Sequence, residues 1–277
     1  MKLSYQIATN EVPIGPRVGG YQGPLEHTFS RLRECGYDGA ELGVCNPRLV
    51  DVALIDKLQE RYCLDIPMVC TGEVFGTDGL CFSETDSEKR NEAIRRATEA
   101  IDLAAHYGAN INIGRLRGGL LWGKPEELCR RNSVEALKYI ADYAGKKNVT
   151  VALEPINCIS INFINTTQEG LALIREIDNP ALKLMLDTNH MHISDKDMMR
   201  SFEEAKGEFV FIHATDSNRL YPGNCKIDFE QVIRKLHEVG YDGWISVEAY
   251  QRPSQDYALE KSFAYLHPLI EAINKIK

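Results

Sequence analysis

The sequence lacks any long apolar run, any surplus of positive charge and any pair of cysteines at the C-x-x-C spacing. Nothing approaches the ~18 consecutive apolar residues that span a membrane, and the apolar stretch at residues 3–8 is too short for a secretory signal. The 32 Lys and Arg residues face 40 Asp and Glu residues, so the net charge is −8. Because negative charge repels nucleic acids and anionic lipids, we expect neither a nucleic acid nor a membrane as partner.

The eight cysteines are scattered and predict no disulfide framework. Without a secretory signal, such thiols are typical of a reducing compartment, so we expect a cytoplasmic protein. Hydrophobic residues make up 44 % of the sequence and charged residues 26 %. These are ordinary values for a globular chain, and they exclude a disordered or fibrous one.

Short apolar runs rich in β-branched residues alternate with longer amphipathic segments along the chain. Eight runs predict strands, at residues 3–9, 39–44, 66–71, 110–114, 149–154, 182–187, 208–213 and 243–248. Eight segments predict helices, near 25–35, 49–61, 87–107, 125–147, 167–177, 195–206, 228–239 and 256–275. Eight units of about 30 residues predict an α/β fold of the (β/α)8 TIM-barrel type, with residues 1–277 as a single domain. A doubly wound parallel sheet is the alternative that this periodicity leaves open.

Four consecutive predicted strands end on residue types that bind metals: Glu154, Asp187, His213 and Glu248, separated by 33, 26 and 35 residues. The carboxyl ends of barrel strands form one face, so these side chains are expected to converge on one half of the barrel mouth. Three unpaired negative charges brought together are costly, and a divalent cation between them resolves that cost. The pattern therefore predicts a metal site.

A donor set of three carboxylates and one imidazole favours Mn²⁺, Mg²⁺ or Co²⁺ over a structural zinc. We expect one such ion, with Mn²⁺ preferred over the other two. Such an ion can chelate a carbonyl and the neighbouring hydroxyl, acidify the adjacent C–H and stabilise the resulting enediolate. Glu154 and Glu248 belong to strands well apart around the mouth. If they face opposite sides of a substrate, one can remove a proton and the other can return it, which inverts a carbon. If both act on one face, the site runs an aldose–ketose shift.

Three segments carry a resemblance to a known family: LEPIN at 153–157, LDTNHM at 186–191, and HATDSNR at 213–219, followed by Tyr-Pro-Gly at 221–223. They resemble the xylose-isomerase-like TIM barrels, in the sugar (phosphate) isomerase/epimerase family. Within that family they are most similar to the ketose 3-epimerases and the 5-keto-L-gluconate epimerases. The resemblance covers nearly the whole chain.

The resemblance implies metal ligation by the four residues named above, with Glu154 and Glu248 as the acid/base pair. It also implies that His190 and Arg219 hydrogen-bond the reacting hydroxyls of the substrate. From the residues alone, His190 could instead be a loop imidazole, and Arg219 could form a surface salt bridge with Asp216.

One stretch departs from the family pattern. The epimerases continue Glu-Pro-x-Asn with Arg-x-Glu, whereas this chain reads Cys158-Ile159-Ser160. Ser160 can form a hydrogen bond but supplies no carboxylate. The contact to the terminal hydroxyl of the substrate, and with it the assignment to a free ketose, therefore stays open.

Four further residues are candidates for lining the substrate pocket. Cys70 and Glu73 stand where the third strand leads into the long loop 72–86, which is either a lid over the site or a connecting loop. Arg117 lies in a Gly-rich turn after the fourth strand, where a guanidinium can bind a carboxylate or phosphate or can pair with surface acids. Trp122 can form an apolar wall for a sugar, or it can belong to a core or an interface.

The sequence therefore predicts an isomerase: a metal-dependent sugar epimerase acting next to a keto group, on a ketose or keto-acid. Its alternatives are a hydroxypyruvate-type aldose–ketose isomerase and a dehydratase of a keto-polyol. An endonuclease-IV-like repair enzyme needs further His and Glu ligands on the early strands, which end here without them. A non-catalytic sugar-binding module would need no convergent acid pair. By analogy with related barrels, we expect a homo-oligomer, either a dimer or a tetramer.

Overall fold

The computed structural model describes residues 1–16 and 18–275. Eight strands pair in parallel, each with its neighbours in chain order, and β1 pairs with β8 to close the barrel. This confirms the predicted TIM barrel and rules out the open doubly wound sheet. The strands are β1 Lys2–Ala8, β2 Gly39–Gly43, β3 Met68–Cys70, β4 Asn110–Ile113, β5 Val151–Leu153, β6 Leu182–Asp187, β7 Phe209–Ala214 and β8 Trp244–Val247.

Ten α-helices in the described residues surround the strands. They are α1 Leu25–Cys35, α2 Val52–Tyr62, α3 Gly72–Asp78, α4 Ser87–Tyr107, α5 Glu126–Gly145, α6 Thr167–Ile177, α7 Thr188–Ser194, α8 Met198–Glu204, α9 Phe229–Glu238 and α10 Gln255–Asn274. Two short 3₁₀ turns follow β2 and β4, at Pro47–Leu49 and Arg115–Arg117. None of the helices in the described ranges is long and apolar enough to cross a membrane.

Three predicted helices have the bounds that the sequence indicates, namely α1, α4 and α6. Two regions differ from prediction. The helix expected at 195–206 is present as the shorter α8, and an additional helix, α7, precedes it because Asp187 caps α7 directly at the strand end. The loop expected at 72–86 begins with α3, a helix too short to show an apolar period.

The inside of the barrel is apolar towards the bottom and polar towards the mouth. Met68, Ala152, Met185 and Phe211 pack together inside it. Since side chains two residues apart on a strand point to the same face, the residue two positions further on each of these strands also points inward. Those positions hold Cys70, Glu154, Asp187 and His213. The alternation of side chains along each strand therefore places the candidate site directly above these four apolar side chains.

Candidate metal centre and substrate pocket

The four expected metal ligands come together at the mouth of the barrel. Asp187 ends β6, His213 lies in β7, and Glu154 and Glu248 immediately follow β5 and β8. One donor atom from each of the four lies within 4.8 Å of the others. Within the part of the chain that the structure describes, this is the single cluster of its kind.

Two atoms of this cluster show that a cation fits there. Glu154 Oε1 and His213 Nδ1 are buried and have no hydrogen-bond partner among the described residues. They lie 3.7 Å apart, too far for a hydrogen bond. Buried polar atoms without partners are costly, and a divalent cation between them would coordinate both. These four residues can therefore hold a metal ion.

His213 is oriented from behind by a buried carboxylate. Its Nε2 lies 2.9 Å and 3.0 Å from the two oxygens of Glu41, which is fully buried in β2. With Nε2 bound to Glu41, Nδ1 is the nitrogen that faces the cluster. Burial acts to lower the pKa of His213, but Glu41 and the neighbouring carboxylates outweigh it and raise that pKa well above its usual value. A carboxylate behind a histidine is the usual means of orienting a metal ligand.

Glu154 is positioned by one residue of β4 and one that directly follows it. Asn112 donates from Nδ2 to Glu154 Oε2 at 3.0 Å, which leaves Oε1 facing the cluster. Gly114 makes room for the carboxylate, because a Cβ atom there would lie 2.5 Å from Oε2. The position of Glu154 thus depends on residues in and directly after the preceding strand.

Arg219 ties two of the ligands together. Its Nη1 donates to Asp187 Oδ2 at 2.8 Å and its Nη2 donates to Glu248 Oε2. Burial opposes ionisation of Glu248, but Arg219 and His213 outweigh it and hold the pKa of that carboxyl below its usual value. The guanidinium therefore keeps Glu248 ionised.

His190 lies against the cluster from α7. Its side chain is buried, and its Nε2 lies 3.8 Å from Glu154 Oε1. Burial and the positive charge of Arg219 lower the pKa of His190 to about 3. The imidazole is therefore neutral near pH 7.

A cavity of about 550 Å³ opens above the cluster, within the range of small-molecule sites. Six of the expected site residues line it: Cys70, Glu73, Glu154, His190, Arg219 and Glu248. The rim also carries apolar side chains, among them Val12, Phe75, Ile156 and Ile159. The arrangement combines a metal site, two carboxylates and an apolar-walled cleft.

A family model described as the xylose isomerase-like TIM barrel matches residues 29–269. The chain belongs to this family. Among characterised relatives, the L-ribulose 3-epimerase of Methylomonas sp. (strain DH-1) is 31% identical over 232 residues, covering 82% of this chain and 79% of that protein. A probable ketose 3-epimerase of Synechocystis sp. is 28% identical over 247 residues, covering 86% and 83%.

Solved structures of the family share the fold. A D-allulose 3-epimerase from Methylomonas sp. superposes with a TM-score of 0.82 at 23% identity, covering 97% of this chain and 98% of that one. A 3-keto-D-glucoside 4-epimerase from E. coli gives 0.81 at 19% identity, with 97% and 99% coverage. At this level of identity, the likeness establishes the barrel architecture.

Cys70 and Glu73 line the cavity on the β3 side. Cys70 is buried with its Sγ 3.6 Å from Asn112 Oδ1, and burial raises the pKa of its thiol well above the usual value. It is therefore a neutral thiol. Glu73 is in the first turn of α3, with Oε1 3.4 Å from Arg115 Nη2. The segment after β3 thus begins as a helix that contributes to the pocket wall.

Arg117, a candidate either for binding an anion or for pairing with surface acids, does neither and does not line the pocket. It is fully buried, and its guanidinium donates five hydrogen bonds to the carbonyl oxygens of Gly114, Glu154, Phe163 and Ile164. No N–H group remains for a ligand. Burial also lowers the pKa of Arg117 to about 10. Its role is to join the turn after β4 to the loop after β5.

Trp122 also lies outside the cavity. Its side chain is fully exposed to solvent, so it forms no wall in this chain. Arg115, two residues before Arg117, is the arginine of that turn that lines the pocket. The sequence pattern did not distinguish the two arginines, of which the 3₁₀ turn directs Arg117 inward.

Sequence reasoning missed three polar residues of the site, and two of them lie within strands rather than after a strand end. Glu41 lies in the middle of β2, Asn112 lies within β4, and Asn157 lies in the loop after β5, bonded to His190. A sequence signal does exist for Glu41, because a carboxylate inside an otherwise apolar strand of a barrel requires a buried partner.

Proposed function

We propose that this protein is a divalent-metal-dependent carbohydrate epimerase that inverts a carbon next to the keto group of a ketose. The observation that carries the proposal is the placement of Glu154 and Glu248. Both carboxylates belong to one cluster with His213, they follow strands on different sides of the mouth, and both line the cavity. The names of the relatives, L-ribulose 3-epimerase and ketose 3-epimerase, support the same reaction class.

The two glutamates divide the proton transfer between them. One carboxylate removes the proton from the carbon next to the carbonyl, and the other, in its acid form, returns a proton to the opposite face. Glu248 is kept ionised by Arg219, so it carries no proton before the reaction, and we assign it the accepting role. The bound ion, for which we propose Mn²⁺, would polarise the carbonyl and so acidify that C–H.

His190 and Arg219 bind the substrate in this proposal. Both line the cavity beside the two glutamates, and each is fixed by other residues before substrate arrives. Donors that are fixed in advance stabilise developing charge without reorganisation. We assign them to the oxygens on either side of the inverted carbon.

A keto-acid is a second substrate class that one observation favours. Arg115 places a cation in the pocket wall, and Ser160 stands where the related epimerases carry a carboxylate. Both features suit a substrate with a negative charge at one end. A hydroxypyruvate-type isomerase would use the same residues on such a molecule.

The test is a substrate panel with the Mn²⁺-loaded protein. L-ribulose, D-psicose, D-tagatose, 5-keto-L-gluconate and hydroxypyruvate are each incubated, and the products are identified by NMR. We expect a ketose or keto-acid epimer as product, with activity lost on chelation and in Glu248→Gln. Glu230→Gln, on the exposed face of α9, is the matched control and should retain activity. An aldose product, loss of water, or no reaction on any of the five would contradict the proposal.

A further inference from the structure

Two imidazoles face the centre of the site, and each is held from behind by a different kind of group. His213 is held by the carboxylate of Glu41, and His190 is held by the amide of Asn157. In a neutral imidazole one nitrogen carries the proton and the other accepts, and the hydrogen bond at one nitrogen decides the role of the other. The groups behind the two rings therefore determine what each ring presents to the pocket.

The orientation of the Asn157 amide follows from its contacts with the backbone. Its Oδ1 accepts from the N–H of Ile159 at 3.1 Å and from the N–H of Ser160 at 3.0 Å. Both donors require an oxygen at that position, so Nδ2 occupies the other position of the amide. That nitrogen lies 2.8 Å from His190 Nδ1.

The proton on His190 is fixed by this contact. An amide nitrogen can only donate, so Nδ1 must be the accepting nitrogen of the ring. The proton of the neutral imidazole is therefore on Nε2. This nitrogen lies 3.8 Å from Glu154 Oε1, beyond hydrogen-bond distance, on a side chain that lines the cavity. No hydrogen bond among the described residues uses this N–H, so it is available to a bound molecule.

We infer that Asn157 is a positioning residue that holds His190 as the Nε2–H tautomer, so that His190 donates a hydrogen bond to a substrate oxygen. The donor role rests on the proposed epimerase function, whereas the tautomer does not. The two histidines therefore present different groups to the site. Glu41 makes His213 present Nδ1 to the metal cluster, and Asn157 makes His190 present an N–H to the substrate. Proton removal is left to the two glutamates.

The tautomer can be measured without a substrate. The full-length protein is labelled with ¹⁵N-histidine, and two-bond ¹H–¹⁵N correlations show which nitrogen of each ring carries the proton. The signals of His190 are those absent from the His190→Gln variant. We expect a protonated Nε2 and an unprotonated Nδ1. A proton on Nδ1 of the native protein would overturn the inference, whatever the enzyme turns over.

Asn157→Asp reverses the contact while keeping the loop. The carboxylate still accepts from the N–H groups of Ile159 and Ser160, but its second oxygen can only accept, so Nδ1 of His190 must be protonated. An unchanged tautomer in this variant would contradict the inference. Asn218→Asp is the matched control: it adds the same charge at the pocket rim, keeps its acceptor for the N–H of Leu220, and has no bond to His190. It should leave the Nε2–H tautomer in place. If Asn157→Asp does not fold, the spectrum of the native protein decides alone.

The kinetic consequence is separate from the spectrum. On a ketose that the enzyme turns over, Asn157→Asp should lower kcat by about 10²-fold, the cost of losing one fixed donor. An unchanged kcat would overturn the donor role. If the native tautomer is as inferred but no ketose or keto-acid reacts, the positioning by Asn157 stands and the proposed function fails.

Discussion

Glu41 orients His213 in the proposed metal site without being one of the four proposed ligands. It lies 172 residues from His213 in the chain, and no spacing rule connects the two. The sequence singled out Glu154, Asp187, His213 and Glu248 because each follows or ends an apolar run. Glu41 is inside such a run, so its role becomes visible only when the barrel closes and β2 faces β7 across the interior.

Replacing Glu41 by Gln should weaken metal binding. The amide keeps the shape of the side chain but removes the charge, and its N–H group competes with the N–H of His213. We expect Mn²⁺ affinity to fall by about 10–100-fold, the usual effect of losing such a partner. Isothermal titration of the metal-free protein measures it, with Glu230→Gln as control. Equal affinities in the two variants would contradict the assigned role.

Arg117 contributes to the stability of the folded protein. Arg117→Met removes all five of its hydrogen bonds. The carbonyl oxygens of Gly114 and Ile164 keep a backbone N–H donor, whereas those of Glu154 and Phe163 lose the guanidinium that they bind. Since each carbonyl left without a donor costs about 1–3 kcal/mol, we expect the free energy of unfolding to fall by at least about 2 kcal/mol in urea titrations of the metal-free protein. The control is Arg115→Met, whose partly exposed ion pair with Glu73 should be worth less than about 1 kcal/mol. Similar losses in both variants would argue against the buried role of Arg117.

At the scale of elements, β6 and α7 share one residue. Asp187 ends the strand, and its Oδ1 accepts from the N–H groups of Asn189 at 2.7 Å and His190 at 3.1 Å, which begins the helix. Its Oδ2 faces the cluster and Arg219. One carboxylate thus directs the helix that carries His190 and also belongs to the metal site.

The two functions of Asp187 can be separated by two variants. Asp187→Asn keeps an oxygen for the cap but loses the charge, so metal affinity should fall sharply with little change in the stability of the metal-free protein. Asp187→Ala loses the cap as well, and should cost about 1 kcal/mol more in stability than the Asn variant. Calorimetric metal titration and urea unfolding measure the two effects. Equal stabilities of the Asn and Ala variants would show that the cap contributes nothing.

The sequence predicted regular elements better than short ones. The bounds of α1, α4 and α6 could be predicted because each is an amphipathic segment of eleven residues or more. The helices α3 and α7 have seven residues each, fewer than two full apolar periods, and depend on contacts that the chain makes only when folded. The burial of the Arg117 side chain was also missed, because most of the carbonyl oxygens that it binds belong to a different loop.

At the scale of the whole molecule, the metal would join β5, β6, β7 and β8, half of the barrel. A ligand that binds only the folded state stabilises it in proportion to the logarithm of its concentration. At 1,000 times the dissociation constant, the gain is about 4.1 kcal/mol. We expect that gain in urea unfolding with Mn²⁺ against EDTA, and almost none in Asp187→Asn at the same Mn²⁺ concentration. A comparable gain in both would place the ion elsewhere.

The overall fold was the most predictable level, because eight strand–helix units in one chain have few alternatives to a closed barrel. Closure itself could not be read from the periodicity. It requires β1 to pair with β8, as the register of Leu3 with Ile245 shows. The chemistry of the site follows from that closure, since it sets Glu41 behind His213.

The most direct test of the two-glutamate proposal is early-time conversion of a ketose substrate in D₂O, with the position of deuterium read by NMR. Two bases on opposite faces predict one deuteron at the inverted carbon of the product, while the remaining substrate retains its proton. Glu154→Gln and Glu248→Gln should both stop product formation. A product without deuterium at the inverted carbon, or full epimerisation by either variant, would contradict the account.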